Sequence, residues 1–330
     1  MERFIDLSLI IPIFNEEENI LLLHERIKSV LEEQSFSYEV IYVDDGSTDN
    51  TIMLLQSIVA HDAQVKVIQL RRNFGQTAAI AAGVDHSCGE VLIFMDGDLQ
   101  NDPVDIPRLL AKLNEGYDVV SGWRKNRQDA QLSRKLPSWL ANRLIAKVTG
   151  VSLHDSGCTL KAFRWDVFQH IRLYGEMHRF LPAYAAIAGA KIAEIEVAHH
   201  PRQFGVSKYG ISRTIRVLLD LLTLKMMGTY RTRPLHAFGI PGLLLLSLGL
   251  ISGTTAIGQS VIQRSIHQPS APNKSLPLLG LGFGLQCLMT GIIAELLTRI
   301  YYETQEKPIY VVKNLFPHTQ LAIEKEEEAA

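Results

Sequence analysis

The sequence predicts an α/β domain with a mostly parallel sheet, followed by basic amphipathic helices and two transmembrane helices. Three observations predict it. Over residues 1–200, short apolar runs alternate with segments of helical period. The ends of three of those runs collect acidic and amide side chains. Beyond residue 233, two long stretches carry no Asp, Glu, Lys or Arg.

The elements follow in order. Leu7–Phe14 reads as a strand, because Leu7–Ile13 is a short continuous apolar run of the length a buried strand needs. Glu17–Glu33 reads as a helix, Tyr38–Val43 as the second strand, and a helix begins near Thr51. Val65–Leu70 is the third strand, followed by a helix over Gln76–His86. Val91–Met95 is the fourth strand, Pro103–Asn114 a helix and Val119–Gly122 a fifth strand. Strands alternating with helices of 10–15 residues imply a parallel sheet covered by helices. Ligands of such sheets bind at the carboxyl ends of the strands.

Composition narrows the function. The chain has 330 residues, 21% of them charged, and a net charge of −2. That balance excludes a disordered chain and a broadly basic nucleic-acid binder. Cys88, Cys158 and Cys287 are too few and too scattered for a disulfide framework or a Cys-rich zinc site. The first residues lack the pattern of a secretory signal.

Pro234–Gln263 and Ser275–Ala294 hold no charged residue, and a bilayer span needs about 20 mainly apolar residues. Spans are therefore expected at about 235–262 and 276–298. Lys225, Arg231 and Arg233 precede the first, and Arg299, Lys307 and Lys313 follow the second. The linker between them has only Arg264 and Lys274, so the charge bias puts both flanks in the cytoplasm. The expected organisation is a catalytic domain over 1–200, a basic juxtamembrane segment over 201–233, spans within 234–302 and a cytoplasmic tail over 303–330.

Three strand ends carry the chemistry. The first reads Ile11-Pro12-Ile13-Phe14-Asn15-Glu16, the second Val43-Asp44-Asp45-Gly46-Ser47, and the fourth Asp96-Gly97-Asp98-Leu99-Gln100. Asp96 and Asp98, two residues apart on a turn, can meet one hard cation, with Gln100 adding a neutral oxygen. Mg²⁺ takes such oxygen ligands and keeps waters and substrate phosphates in its shell. A lone pair of this kind also fits a turn or helix cap, and Asp102-Pro103 reads as a helix start. With Ser47 or Asp49 capping the next helix, Asp44 or Asp45 is left to accept a hydrogen bond from a nucleotide base. Asn15 and Glu16 could hold the ribose or base.

These motifs, with RRNFGQ (Arg71–Gln76), DGDLQNDP and the two expected spans, resemble family 2 glycosyltransferases of the GT-A (Rossmann-like) fold. The pattern is most similar to the polyprenyl-phosphate glycosyltransferases, the group of dolichol-phosphate mannose synthase and bactoprenol glucosyltransferase. The resemblance implies that Asp96, Asp98 and Gln100 ligate Mg²⁺ or Mn²⁺, and that Pro12, Asn15, Glu16, Asp44 and Asp45 surround the nucleotide. It implies that Arg124, Arg134 and Ser138 contact phosphate. Arg202 and Lys208 lie in an R-x-x-G-x-S-K-Y element near the acceptor, and Arg179 lies in a further acceptor-side element, His178–Pro182. Asp155 is the candidate catalytic acid on the acceptor side, although Cys158 stands where some relatives carry an Asp.

The expected activity is inverting transfer of one hexose from a nucleotide sugar to a polyprenyl phosphate at the cytoplasmic membrane face. UDP-glucose is the favoured donor, with GDP-mannose as an alternative. A homo-oligomer is plausible for this group. A processive polysaccharide synthase would show a Q-x-x-R-W element and more spans, and this chain lacks both. A non-catalytic nucleotide-sugar-binding protein is the remaining alternative.

Overall fold

A computed structural model describes residues 5–125, 151–203 and 307–316, with scattered helical positions between 146 and 304. The chain forms two compact units, Met1–Leu221 with Pro308–Ala330, and Leu222–Lys307.

The first unit is built on one sheet of eight strands. In chain order these are β1 (Ile5–Ile13), β2 (Tyr38–Asp44), β3 (Val65–Leu70), β4 (Gly89–Phe94), β5 (Val119–Trp123), β6 (Lys161–Arg164), β7 (Ile192–Glu196) and β8 (Val312–Phe316). Their spatial order is β7-β5-β6-β4-β1-β2-β3-β8. The helices are α1 (Ile20–Leu31), α2 (Thr51–His61), α3 (Gln76–Asp85), α4 (Ile106–Leu113) and a short one over Leu181–Ile187. All five strands expected from the sequence are present, with ends shifted by at most two residues.

The core follows from the apolar pattern. Leu7, Leu9, Ile10, Ile11 and Ile13 of β1 are all buried, as a central strand covered on both faces requires. Ile20, Leu23, Ile27 and Leu31 form the buried stripe of α1, at helical spacing. Helix α3 lies close on the sheet because Gly83 has no side chain; a Cβ there would sit 2.3 Å from Ile10 Cγ2.

Two expectations are corrected. The helix expected over Pro103–Asn114 divides into a 3₁₀ turn, Pro103–Asp105, and α4. Pro107 lacks the N–H that would bond the carbonyl four residues back, and its ring crowds that carbonyl. The segment expected to be a tail contains β8, which pairs antiparallel with β3 through Val67↔Phe316 and Gln69↔Asn314. Tyr310 Oη donates to Asp85 at 2.8 Å, and Arg71 N donates to the Val311 carbonyl, fastening the approach to this strand.

Strand β6 enters antiparallel between β4 and β5, so the sheet is mixed rather than uniformly parallel. This matters for the site, because it brings the residues just before Lys161 alongside the end of β4.

In the second unit the described positions from 222 to 304 are helical. Leu279, Phe283, Ile293, Leu297 and Ile300 are all at least half exposed. Among the described residues, no helix is long and apolar enough to cross a membrane. The two expected spans fall largely outside the described residues.

Candidate active site

The register sets the site. Ile13 of β1 lies beside Asp44 of β2, and Ile10 lies beside Phe94 of β4. The three acidic strand ends therefore lie side by side at the carboxyl edge of the sheet. Met95 N donates to the Ile10 carbonyl, so the polar backbone of Ile10 faces β4. Pro12, two residues on, faces the same way and has no N–H to offer. The β1–β4 ladder stops there, and Gly97 packs against the end of β1, where a Cβ would fall 2.3 Å from Ile13 Cδ1.

The nucleotide-side loops are laced together. Asn15 N donates to Ser47 Oγ at 2.9 Å, and Asn15 Oδ1 accepts from Thr48 N at 2.8 Å. Glu16 N donates to Thr51 Oγ1, while Glu16 Oε2 accepts from the Asn19 side chain at 2.6 Å. Asp49, rather than Ser47, takes the first N–H of α2, from Thr51. Asn15 adopts a left-handed backbone, φ 53°, which Asn tolerates better than most residues.

The structure separates the two aspartates at the end of β2, Asp44 within it and Asp45 just past it. Asp45 accepts from Phe74 N at 2.7 Å and Gly75 N at 2.9 Å, so it anchors the RRNFGQ loop. Gly46, at φ +72°, permits this approach, since a Cβ would fall 2.4 Å from the Arg72 carbonyl carbon. Asp44 Oδ1 accepts from Ser47 N, whereas the buried Asp44 Oδ2 has no hydrogen-bond partner among the described residues. Burial raises both carboxyls, Asp45 to about 6. Of the two, Asp44 is the one with acceptor capacity to spare.

The metal-type pair sits on a strained turn. Leu99, between Asp98 and Gln100, is buried at φ 62°, an unusual conformation for a branched side chain. Such strain costs of order 1–3 kcal/mol and collects at functional sites. Gln100 N donates to Asp98 Oδ1 at 3.2 Å. Burial, and next the Asp96 charge, push Asp98 up to about 6, and Arg202 pulls it the other way. Arg202 Nη2 donates to Asp98 Oδ2 at 2.5 Å, so a guanidinium stands where a cation is wanted. Asp96 Oδ1 accepts from Gln76 Nε2 at 2.8 Å, and Oδ2 accepts from Thr159 Oγ1 at 2.6 Å.

Among the described residues no group of three or more His, Cys, Asp or Glu gathers as a closed metal site. The donor set instead comprises two carboxylates and the neutral Gln100. It fits an oxygen-preferring divalent ion that completes its shell with water and substrate phosphate. The need for positive charge, now met by Arg202, supports the same fit.

On the acceptor side, Arg124 and Asp155 form a bidentate pair, Nε to Oδ2 at 2.6 Å and Nη2 to Oδ1 at 3.0 Å. Glu194 accepts from the Asp155 and His154 backbone N–H groups. The fork of Arg124 and the two oxygens of Asp155 match one to one, which fixes both side chains. Buried Lys161 Nζ donates to the carbonyls of Ser156 and Cys158, holding this loop to β6. Burial pushes the Cys158 thiol up to about 11, far from a ready nucleophile. Arg179 pairs with Glu176 at 2.8 Å, and His178 Nδ1 meets Thr77 Oγ1 at 2.7 Å. Arg134, Ser138 and Lys208 lie outside the described residues.

Pro12, Asn15, Glu16, Asp44, Asp96, Asp98 and Gln100 thus lie at or just past the carboxyl ends of three neighbouring strands, with Arg202 brought against Asp98. Gln76 and Thr159 were not singled out by sequence reasoning. Gln76 ends the RRNFGQ segment, which hinted at it; Thr159 becomes visible only when β6 places it beside Asp96.

A strand order with β1 central between β2 and β4, and carboxylates at the strand ends, is that of a doubly wound α/β protein whose ligands bind at the carboxyl ends of the strands. Residues 8–172 match the model of the family described as Glycosyl transferase family 2. The chain belongs to that family. It is 43% identical over 317 residues to dodecaprenyl-phosphate galacturonate synthase of Rhizobium johnstonii, covering 94% of this chain and 93% of the relative. It is 35% identical over 315 residues to undecaprenyl-phosphate 4-deoxy-4-formamido-L-arabinose transferase of Proteus mirabilis, covering 95% of each. Among solved structures, glucosyl-3-phosphoglycerate synthase of Mycobacterium tuberculosis, in complex with Mn²⁺ and uridine-diphosphate-glucose, shares the fold. Its TM-score is 0.51 at 19% identity, covering 67% of this chain and 79% of that one.

Proposed function

We propose that this enzyme transfers a single sugar from a nucleoside-diphosphate sugar to a polyprenyl phosphate, with inversion, at the cytoplasmic face of a membrane. The observation that carries the reading is the cluster at the strand ends. Thr159 ties Asp96 to the loop before β6, and the Arg124–Asp155 pair braces the same loop. The near-full-length likeness to two enzymes named for polyprenyl-phosphate transfer supports the acceptor.

Asp96, Asp98 and Gln100 would hold a divalent ion, which when bound offsets charge on the departing diphosphate. Asp44 Oδ2 would accept a base N–H, and Asn15 and Glu16 would line the ribose side. Arg202, released from Asp98 once a metal arrives, would be free to meet phosphate. The N–H groups of Arg124 not spent on Asp155 would meet the acceptor phosphate. That phosphate arrives largely ionised, since its second pKa is about 6. Its oxygen can attack the anomeric carbon without a strong base, so Asp155 serves to hold Arg124.

Glucose, the donor expected from sequence, has no support in the relatives, whose names specify galacturonate and formamido-arabinose. A nucleotide-linked galacturonate is the first donor to test. The exposed apolar residues of the second unit and the charge-free stretches support a two-span anchor with both flanks cytoplasmic.

The test places full-length protein in bilayers with Mg²⁺, undecaprenyl phosphate and radiolabelled UDP-galacturonate, UDP-glucose or GDP-mannose. Label from one donor entering the organic phase as a lipid phosphosugar supports the reading. No lipid-linked label from any donor, in protein that still binds nucleotide, overturns the acceptor assignment.

A further inference from the structure

Asp96 receives unusual attention. Each of its carboxylate oxygens is met by one side-chain donor, from a different element. Gln76 stands at the first position of α3 and reaches Oδ1 at 2.8 Å. Thr159, just before β6, reaches Oδ2 at 2.6 Å. Neither contact is local in sequence, with separations of 20 and 63 residues. A carboxylate oxygen has two acceptor directions, so one direction on each oxygen stays available.

The two donors are themselves held. Thr77, next to Gln76, meets His178 at 2.7 Å. Asp45 grips the amides of Phe74 and Gly75, fixing the start of α3. On the other side, Lys161 holds the carbonyls of Ser156 and Cys158, and the Arg124–Asp155 pair braces the same loop. The Gln76 amide and the Thr159 hydroxyl thus meet Asp96 as parts of two rigid supports.

We infer that Gln76 and Thr159 are positioning residues that orient the Asp96 carboxylate for a divalent cation. The inference rests on the assignment of Asp96 and Asp98 as metal ligands. Ligating carboxylates are commonly oriented by such outer hydrogen bonds, and losing one lowers metal affinity by about 10–100-fold. Both donors are neutral, so they fix direction without cancelling the charge that a cation needs. This distinguishes them from Arg202, which opposes the cation on Asp98.

The experiment measures Mn²⁺ binding to the full chain in detergent, by the electron paramagnetic resonance signal of free Mn²⁺. Nucleotide affinity in EDTA is measured on the same samples as the readout of intact folding. Gln76→Met and Thr159→Val remove each donor while keeping shape, and Thr159→Ser restores the hydroxyl. The expected result is a Kd for Mn²⁺ raised about tenfold in Gln76→Met and Thr159→Val. Thr159→Ser should stay near the wild-type value, and UDP affinity in EDTA should not change. Wild-type Mn²⁺ affinity in both donor-less variants, alongside loss of binding in Asp98→Ala, overturns the inference and leaves the metal site standing. Undiminished binding in Asp98→Ala overturns the metal assignment itself. Should Gln76→Met lose its fold, the near-isosteric Thr159 series decides the question alone.

Discussion

Two buried polar clusters lie at opposite ends of the same sheet, and only one of them is complete. At the amino ends of the strands, Glu39 accepts from Ser8 Oγ at 2.5 Å, Cys88 N at 2.6 Å and Lys66 Nζ at 3.0 Å. Lys66 also donates to the His86 carbonyl, and Ser8 Oγ accepts from Gly89 N. Charge there is balanced and the polar groups are paired. At the carboxyl ends, Asp44 Oδ2 lacks a hydrogen-bond partner among the described residues, Leu99 is strained, and Asp96 and Asp98 repel one another. Burial of charge alone therefore does not mark a site. What marks it is the acceptor left over at Asp44, and an Asp98 charge offset only by Arg202, 104 residues away along the chain.

The largest expected effect would test that distinction directly. Asp98→Ala should lower lipid-linked sugar formation by about 10³-fold, the scale of losing one charge-stabilising group. Its thermal midpoint in EDTA should change little, because its burial opposes its own charge. A large loss of stability would place the carboxyl end among the structural clusters and break the contrast. Next in size is Glu39→Ala, which strands Lys66 and two further donors. It should cost about 3–5 kcal/mol in urea unfolding. The donor KM of the folded fraction should hold at the wild-type value.

A pH titration sharpens the carboxyl-end description. Asp45 is raised to about 6 from 3.8 by burial, against the pull of its two amide bonds. A raised folded value means that the native state holds the proton more tightly than the unfolded chain does. Its contribution to stability is therefore full below pH 3.8 and is lost as the pH rises through about 6. Unfolding midpoints in EDTA should fall over that window in the wild type and lose this component in Asp45→Asn. The smallest effect is expected outside both clusters, where Tyr310→Phe removes one hydrogen bond to Asp85. About 1 kcal/mol of stability should go, with no change in transfer rate.

The same contrast explains how much the sequence revealed. The first five strands and the helices between them were legible because buried parallel strands are continuous apolar runs. The gathering of carboxylates and amides at three strand ends was legible because each group directly follows an apolar run. Helix α3 began where expected, at Gln76. By contrast, β6, β7 and β8 are short or mixed in pattern; Val312–Phe316 reads VKNLF and carries little apolar signal of its own. An edge strand is held by backbone pairing with its neighbour, and pairing leaves no periodic mark on a sequence.

Residue types and their chain positions determined the α/β class and the acidic strand ends. They also brought out the similarity to polyprenyl-phosphate glycosyltransferases. Those depend on local pattern and on chemistry carried by each side chain. Only the tertiary structure decided that Asp45 anchors a loop while Asp44 keeps a spare acceptor. It alone turned Arg124 onto Asp155 and Arg202 onto Asp98, and set Gln76 and Thr159 on either side of Asp96. The physical reason is that a hydrogen-bond partner is chosen by distance in space. These partners are separated by 20 to 104 residues along the chain.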